Sequence, residues 1–168
     1  MIKSCLKYFS CFSCFSCFNS SEIDTELKEI NYNDTQEFIP PIKYGKVISV
    51  YDGDTITIAS KLPYKESPIY RFKIRLSGID SPEIRSNNSE EKEMAKKVKD
   101  ILSKKINGKI IELKNNKNEK YGRILANVWL DNEDINEWML KNRYAIEYKG
   151  KTKVSPKSWK NYIEKGIF

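Results

Sequence analysis

The order of periodicities constrains this chain most. Three short β-type runs come first, then one long amphipathic helical stretch, then two more β-type runs. The runs at 47–51 and 55–59 are rich in β-branched residues and join through Asp52-Gly53-Asp54, where glycine is expected to supply a positive φ. The run at 69–77 alternates: Tyr70, Phe72, Ile74 and Leu76 face one side, and Arg71, Lys73 and Arg75 the other. A helix follows, with Asn88 or Ser89 as cap, Glu90 and Glu91 in its first turn and Asn107-Gly108 as its stop. Its apolar positions are Met94, Val98, Ile101, Leu102 and Ile106, and its lysines are left outside. Runs at 109–113 and 123–130 come next, separated by a polar loop rich in asparagine and lysine. A second helix is expected at 135–142 with Trp138 and Met139 inward. A third, short one should follow Ser155-Pro156, with Trp159 and Ile163 packing back. This order predicts an α+β fold, a small closed barrel of five strands of the oligonucleotide-binding (OB) type with about three helices.

The domain so predicted spans 42–168, and residues 1–41 read as a tail and linker. All four cysteines, Cys5, Cys11, Cys14 and Cys17, fall in the first 17 residues, so no disulfide staples the domain. The Phe-Ser-Cys repeat around them is too short and too serine-rich to span a bilayer, which takes about 20 mostly apolar residues. Residue 2 is isoleucine, which excludes N-myristoylation. The favoured reading is a flexible, multiply S-acylated anchor. Its phenylalanines dip into a membrane interface, and Lys3 and Lys7 meet anionic lipid. A cleaved secretory signal stands second and a metal cluster third, the latter lacking a well-placed fourth cysteine. Palmitate labelling of the wild type against a Cys-to-Ser variant separates the three. Residues 19–41 are acidic and polar and end in Pro40-Pro41, as suits a tether.

Charge follows the same division. Residues 1–40 hold 3 lysines and 6 acids, whereas residues 41–168 hold 27 basic and 17 acidic side chains, a net charge of +10. A domain this basic suits polyanionic partners, although a solvated lysine-rich surface has the same composition. The chain has no histidine, which excludes zinc-histidine sites, Ser-His triads and nucleases that use a histidine base. Hydrolytic chemistry here must run on carboxylates, arginine, lysine or tyrosine.

Three stretches supply those groups: Asp52-Gly53-Asp54-Thr55; Arg75 with Asp80-Ser81-Pro82-Glu83 five residues on; and Glu119-Lys120-Tyr121-Gly122-Arg123. Each alone is ordinary turn chemistry. Their order and strand context together resemble the active-site signature of the thermonuclease family, whose type member is staphylococcal nuclease. The resemblance covers about residues 43–148. It implies an OB barrel and a calcium-dependent endonuclease acting on DNA and RNA. Asp54 and Asp80 are the obvious hard ligands for a divalent cation. The resemblance makes them the calcium carboxylates and adds the main-chain carbonyl of Ser81, which Pro82 restricts to an extended conformation. Glu83, a carboxylate three residues beyond a ligand, is the candidate general base, in line with the family's catalytic glutamate. Arg75 and Arg123 match the two catalytic arginines, whose planar forks suit phosphate oxygens. Lys120 and Tyr121 resemble residues that contact a terminal phosphate, and Tyr148 one that lines the nucleotide pocket. The stretch 84–88 is shorter than the family's loop there.

A monomer is expected. The alternative from another class is a non-catalytic OB module that binds nucleic acid at a membrane. A third reading, a tethered interaction protein, rests on the tail alone. Base preference is not legible, because phosphate contacts carry no sequence information.

Overall fold

A computed structural model of the chain describes residues 27–150 and 154–168; the tail cysteines Cys5, Cys11, Cys14 and Cys17 lie outside the described residues. The chain divides into two compact units, and one of them, Phe38–Phe168, carries every strand. In the other, Asn31 caps a 3-10 turn at Tyr32–Asp34. Among the described residues no helix is long and apolar enough to cross a membrane.

The strands are β1 (Tyr44–Val50), β2 (Thr55–Lys61), β3 (Ile69–Leu76), β4 (Ile79–Asp80), β5 (Ile110–Glu119), β6 (Arg123–Leu130), β7 (Glu133–Asp134) and β8 (Ile146–Glu147). The helices are α1 (Ser89–Ile106), α2 (Ile135–Lys141) and α3 (Trp159–Lys165). The sheet runs in the order β3-β2-β1-β5-β6-β7, and β3 closes it by pairing with β6 in parallel. Five strands, β1, β2, β3, β5 and β6, therefore form the closed barrel the sequence predicts. β7 only extends its rim, and β4 pairs with β8 apart from it. The inward side chains of the alternating strands, among them Val47, Ile56, Ile58, Ile74, Ile111 and Val128, are fully or almost fully buried. Removing each from water contributes about 1.5–3 kcal/mol.

The long helix α1 starts where Asn88 Oδ1 accepts the backbone N–H groups of Glu90 and Glu91, and it buries Met94, Ala95, Val98, Leu102 and Ile106. Its Glu90 accepts from Ser158 Oγ at 2.9 Å, which ties it to the cap of α3. From α2, buried Asn136 accepts the Val128 N–H at 2.9 Å and donates to Ser77 O at 2.8 Å and Ala126 O at 3.3 Å. That amide fastens the end of β3, and so Arg75, to β6.

Two expectations need correction. The segment after residue 113 is not a loop: β5 continues to Glu119 through a bulge between Lys114 and Lys117 and pairs with β6 along its length. Its outer half has no apolar face, so hydrophobic alternation cannot reveal it although its backbone is hydrogen-bonded. Gly53 is not among the residues with positive φ. It is needed for space, because a Cβ there would come 2.6 Å from Val98 Cγ1 and 2.7 Å from Ser81 Cβ.

Candidate active site

Asp54 closes the β1–β2 turn, where its N–H donates to Asp52 Oδ1 at 3.1 Å and its carbonyl accepts from Leu76 N at 2.8 Å. Asp80 lies on β4, and Ser81 follows it. At the end of β3 the alternation breaks. Arg75, expected on the polar outer side, is only 9% exposed because it turns in between Asp54 (6%) and Asp80 (7%). Its Nη1 sits 2.9 Å from Asp54 Oδ2 and its Nη2 3.2 Å from Asp80 Oδ1. One guanidinium thus bridges two buried carboxylates.

The rest of the shell fixes Asp54. Its Oδ2 accepts from the Ser81 N–H at 3.0 Å and from Ser81 Oγ at 3.1 Å, while Oδ1 accepts from Thr55 Oγ1 at 3.1 Å. Burial nevertheless pushes its pKa up to about 6, against the pull of Arg75 and the Ser81 hydrogen bonds.

Arg123 opens β6 directly across from the last residue of β5, Glu119. Its Nε and Nη2 donate to the two oxygens of Glu119 at 2.9 and 3.0 Å, and Nη1 reaches Thr55 Oγ1 at 3.4 Å. The hydrogen bond to Glu119 is the main reason its pKa is raised. Glu83 is exposed, and its main-chain N–H donates to Glu91 Oε1 at 3.1 Å, while Ser86 Oγ donates to Glu91 Oε2. A single cleft of about 260 Å³ is lined by Asp54, Arg75, Asp80, Ser81, Glu83 and Arg123, and Tyr51, Asp52 and Pro82 complete the lining. A second groove, about 680 Å³, includes Lys120 and Tyr148 in its lining and shares Arg75 with the first.

The structure thus brings the predicted ligands, base and arginines into one cleft and two of the three predicted substrate residues, Lys120 and Tyr148, into the next. Tyr121 stands apart. It is 83% exposed, at the tip of the β5–β6 hairpin with φ +75°, and lines neither cavity. Two residues went unread as site residues. Glu119 had a signal, standing four residues before Arg123 across a Tyr-Gly turn. Glu91 had none beyond its place in a first helical turn, because no spacing rule brings it back onto Glu83.

As to fit for a metal, the side chains on hand are two buried carboxylates, and hard oxygens of this kind suit calcium or magnesium. Among the described residues no group of three or more Asp, Glu, Cys or His side chains forms a metal cage. An ion here would complete its shell with main-chain carbonyl and water.

The family model for staphylococcal nuclease homologues matches residues 73–165, more than half of the chain. The chain belongs to the staphylococcal nuclease family. The match takes in Arg75, Asp80, Ser81, Glu83, Lys120, Tyr121, Arg123 and Tyr148, whereas Asp54 lies before it. Three relatives illustrate the membership. An uncharacterized protein of Methanocaldococcus jannaschii is 35% identical over 70% of this chain and 66% of its own length. A thermonuclease of Staphylococcus hyicus is 33% identical over 60% and 56%, respectively. A staphylococcal-like nuclease of Arabidopsis thaliana is 33% identical over 46% of this chain and 22% of its own length. The chain thus spans less than two thirds of the length of each of these relatives.

One consequence of this packing concerns the turn that carries Asp54. Because a methyl group at residue 53 would push directly on Ser81 and Val98, Gly53→Ala is expected to cost about 1–3 kcal/mol of stability. It should also lower activity by shifting Ser81 off Asp54. Denaturant unfolding checks the first effect and hydrolysis rates the second.

Proposed function

We propose that this protein is a divalent-metal-dependent endonuclease, calcium being the ion the family resemblance implies, that hydrolyses phosphodiester bonds of DNA and RNA. The observation that carries this is the convergence of Asp54 and Asp80 on Arg75 in one cleft with Glu83 and Arg123. Asp54, Asp80 and the Ser81 carbonyl would hold the ion. When bound, it supplies Lewis-acid stabilisation of negative charge on the phosphoryl oxygens.

The chain's own groups do the rest. Attack of water on phosphorus gathers charge on the non-bridging oxygens, and groups that hold this charge better than the ground state lower the barrier. Arg75 and Arg123 line the space where those oxygens would lie, and the planar guanidinium fork matches phosphate oxygens. Glu119 restrains the Arg123 fork, so less rotamer freedom is lost when a phosphate binds. Glu83 accepts the proton of the attacking water, a role for which its carboxylate lines the cleft beside Asp80 and Ser81. Lys120 and Tyr148 line the adjoining groove, and they would receive the neighbouring nucleotide.

The test is nicking of supercoiled plasmid, and of labelled RNA, by the full chain with calcium and then with chelator. Cleavage that chelator abolishes supports the reading. Undiminished binding with no cleavage under any divalent metal makes the protein a binding module instead.

The pH dependence follows from Asp54. A cation competes with protons for its carboxylate, whose pKa is pushed up to about 6. Apparent calcium affinity is therefore expected to be full above about pH 7 and to fall as pH drops through 6. An unperturbed aspartate would hold its affinity down to about pH 4. Calorimetric calcium titrations between pH 5 and 8 check the midpoint.

A further inference from the structure

We propose that Glu91, in the first turn of α1, is the positioning residue of the general base and holds the main chain of Glu83 at the cleft. This rests on the nuclease reading above and deepens the same site. Glu83 is exposed, and it lines both the cleft and a second hollow of about 280 Å³ that it shares with Ser86, Glu91 and Ser155. Its segment therefore has open space on two sides. A group that must meet one water has to be held within about 0.5 Å of its productive place, so the backbone beneath it needs a fixed anchor.

The local hydrogen bonds supply that anchor. Glu83 O accepts the Ser86 N–H at 3.2 Å, which folds residues 83–86 into a turn. Glu91 grips this turn at both ends. Its Oε1 accepts the Glu83 N–H at 3.1 Å, and its Oε2 accepts from Ser86 Oγ. Glu91 in turn is carried by an 18-residue helix that buries Met94, Ala95, Val98, Leu102 and Ile106. The base is thus referred to the core through one carboxylate.

This is not the usual work of a glutamate at that position. With Asn88 as the N-cap, Glu91 is the third helical residue, and an acid there ordinarily turns back onto the N-cap N–H to complete a capping box. Here the Asn88 N–H donates to Ser86 Oγ at 3.1 Å instead, and Glu91 reaches past it to the turn that bears Glu83. Its neighbour Glu90 serves elsewhere, accepting from Ser158 Oγ at the cap of α3. Two adjacent glutamates in one helical turn have separate tasks.

The experiment compares Glu91→Ala, Glu91→Gln and Glu90→Ala with the wild type, each as the full chain. Cleavage at saturating calcium gives kcat and KM, and amide hydrogen exchange reports opening at Glu83 without turnover. Glu91→Ala is expected to lose about 10²-fold in kcat, the cost of a displacement of about 1 Å, with KM within about twofold of wild type. Exchange at the Glu83 amide should be at least about tenfold faster. Glu91→Gln keeps an acceptor for the Glu83 N–H and should recover most of the rate. Glu90→Ala should keep the wild-type kcat. In the Glu83→Gln background, Glu91→Ala should cost nothing further, because a residue that acts through Glu83 has nothing left to position.

A wild-type kcat in Glu91→Ala, an equal loss in Glu90→Ala, or a full second loss on top of Glu83→Gln overturns the proposal. Should Glu91→Ala fail to fold, Ser86→Ala, which loosens the same grip from the turn side, is read by the same criteria. The two readings fail separately. A wild type that cleaves nothing sinks the nuclease reading, and exchange at Glu83 still decides whether Glu91 holds the turn. Cleavage by the wild type with kcat and exchange unchanged in Glu91→Ala sinks the positioning role alone.

Discussion

Replacing Arg75 with alanine is expected to destabilise the domain by about 3–5 kcal/mol at neutral pH, the usual cost of breaking a buried ion pair from one side. Asp54 and Asp80 would remain buried at 6% and 7% exposure, without the guanidinium that now lies 2.9 and 3.2 Å from them. Two like charges at such a separation also repel each other in a poorly screened setting. The pH sign is definite. Protonation removes the charge, and without Arg75 to lower it the Asp54 pKa lies above its present value of about 6, so the penalty shrinks as pH falls from neutrality to 6. Excess calcium should restore part of the loss by binding only the folded state. Denaturant unfolding at pH 7.5 and 5, with and without calcium, checks all three statements. A loss below about 1 kcal/mol at pH 7.5 would mean that the bridge is not what holds the carboxylates together. Hydrolysis by this variant should be undetectable, because the same side chain is one of the two proposed to face the phosphoryl oxygens.

Glu83→Gln is expected to separate activity from stability. The side chain is exposed, and the substitution leaves the main-chain N–H that donates to Glu91 Oε1 unaltered. Folding should therefore change by no more than about 0.5 kcal/mol. The amide cannot take a proton, and losing a positioned general base costs about 10²- to 10⁴-fold in kcat. Calcium affinity should stay at the wild-type value if, as proposed, Glu83 acts beside the ion and not on it. A rate loss that added calcium reverses would reassign Glu83 as a ligand.

Much of this was legible in the sequence, for physical reasons that particular residues illustrate. β6 reads at its true limits because its buried and part-buried side chains alternate along its whole length. α1 reads well because Asn88, two glutamates and a heptad-like apolar stripe agree on one helix. The distal half of β5 does not read at all, since its order comes from pairing with β6 and not from burial. Alternation also misleads at Arg75, because pattern assigns a face but has no knowledge of two carboxylates waiting beneath it. The site was legible where chemistry and sequence spacing coincide, as from Arg75 to Asp80-Ser81-Pro82-Glu83. It was illegible where distant segments meet: Ser81 against Asp54, Glu91 against Glu83 and Thr55 against Arg123. The need for glycine at position 53 was visible and its cause was not.

The central claim is that Asp54 and Asp80 hold the ion on which cleavage depends. Its most direct test is the calcium concentration that gives half-maximal plasmid cleavage by Asp80→Asn and by the wild type at pH 8. Asparagine keeps the size and one acceptor oxygen but removes a charged ligand. The expected result is a requirement for at least about tenfold more calcium. An unchanged calcium requirement in a folded variant would contradict the account.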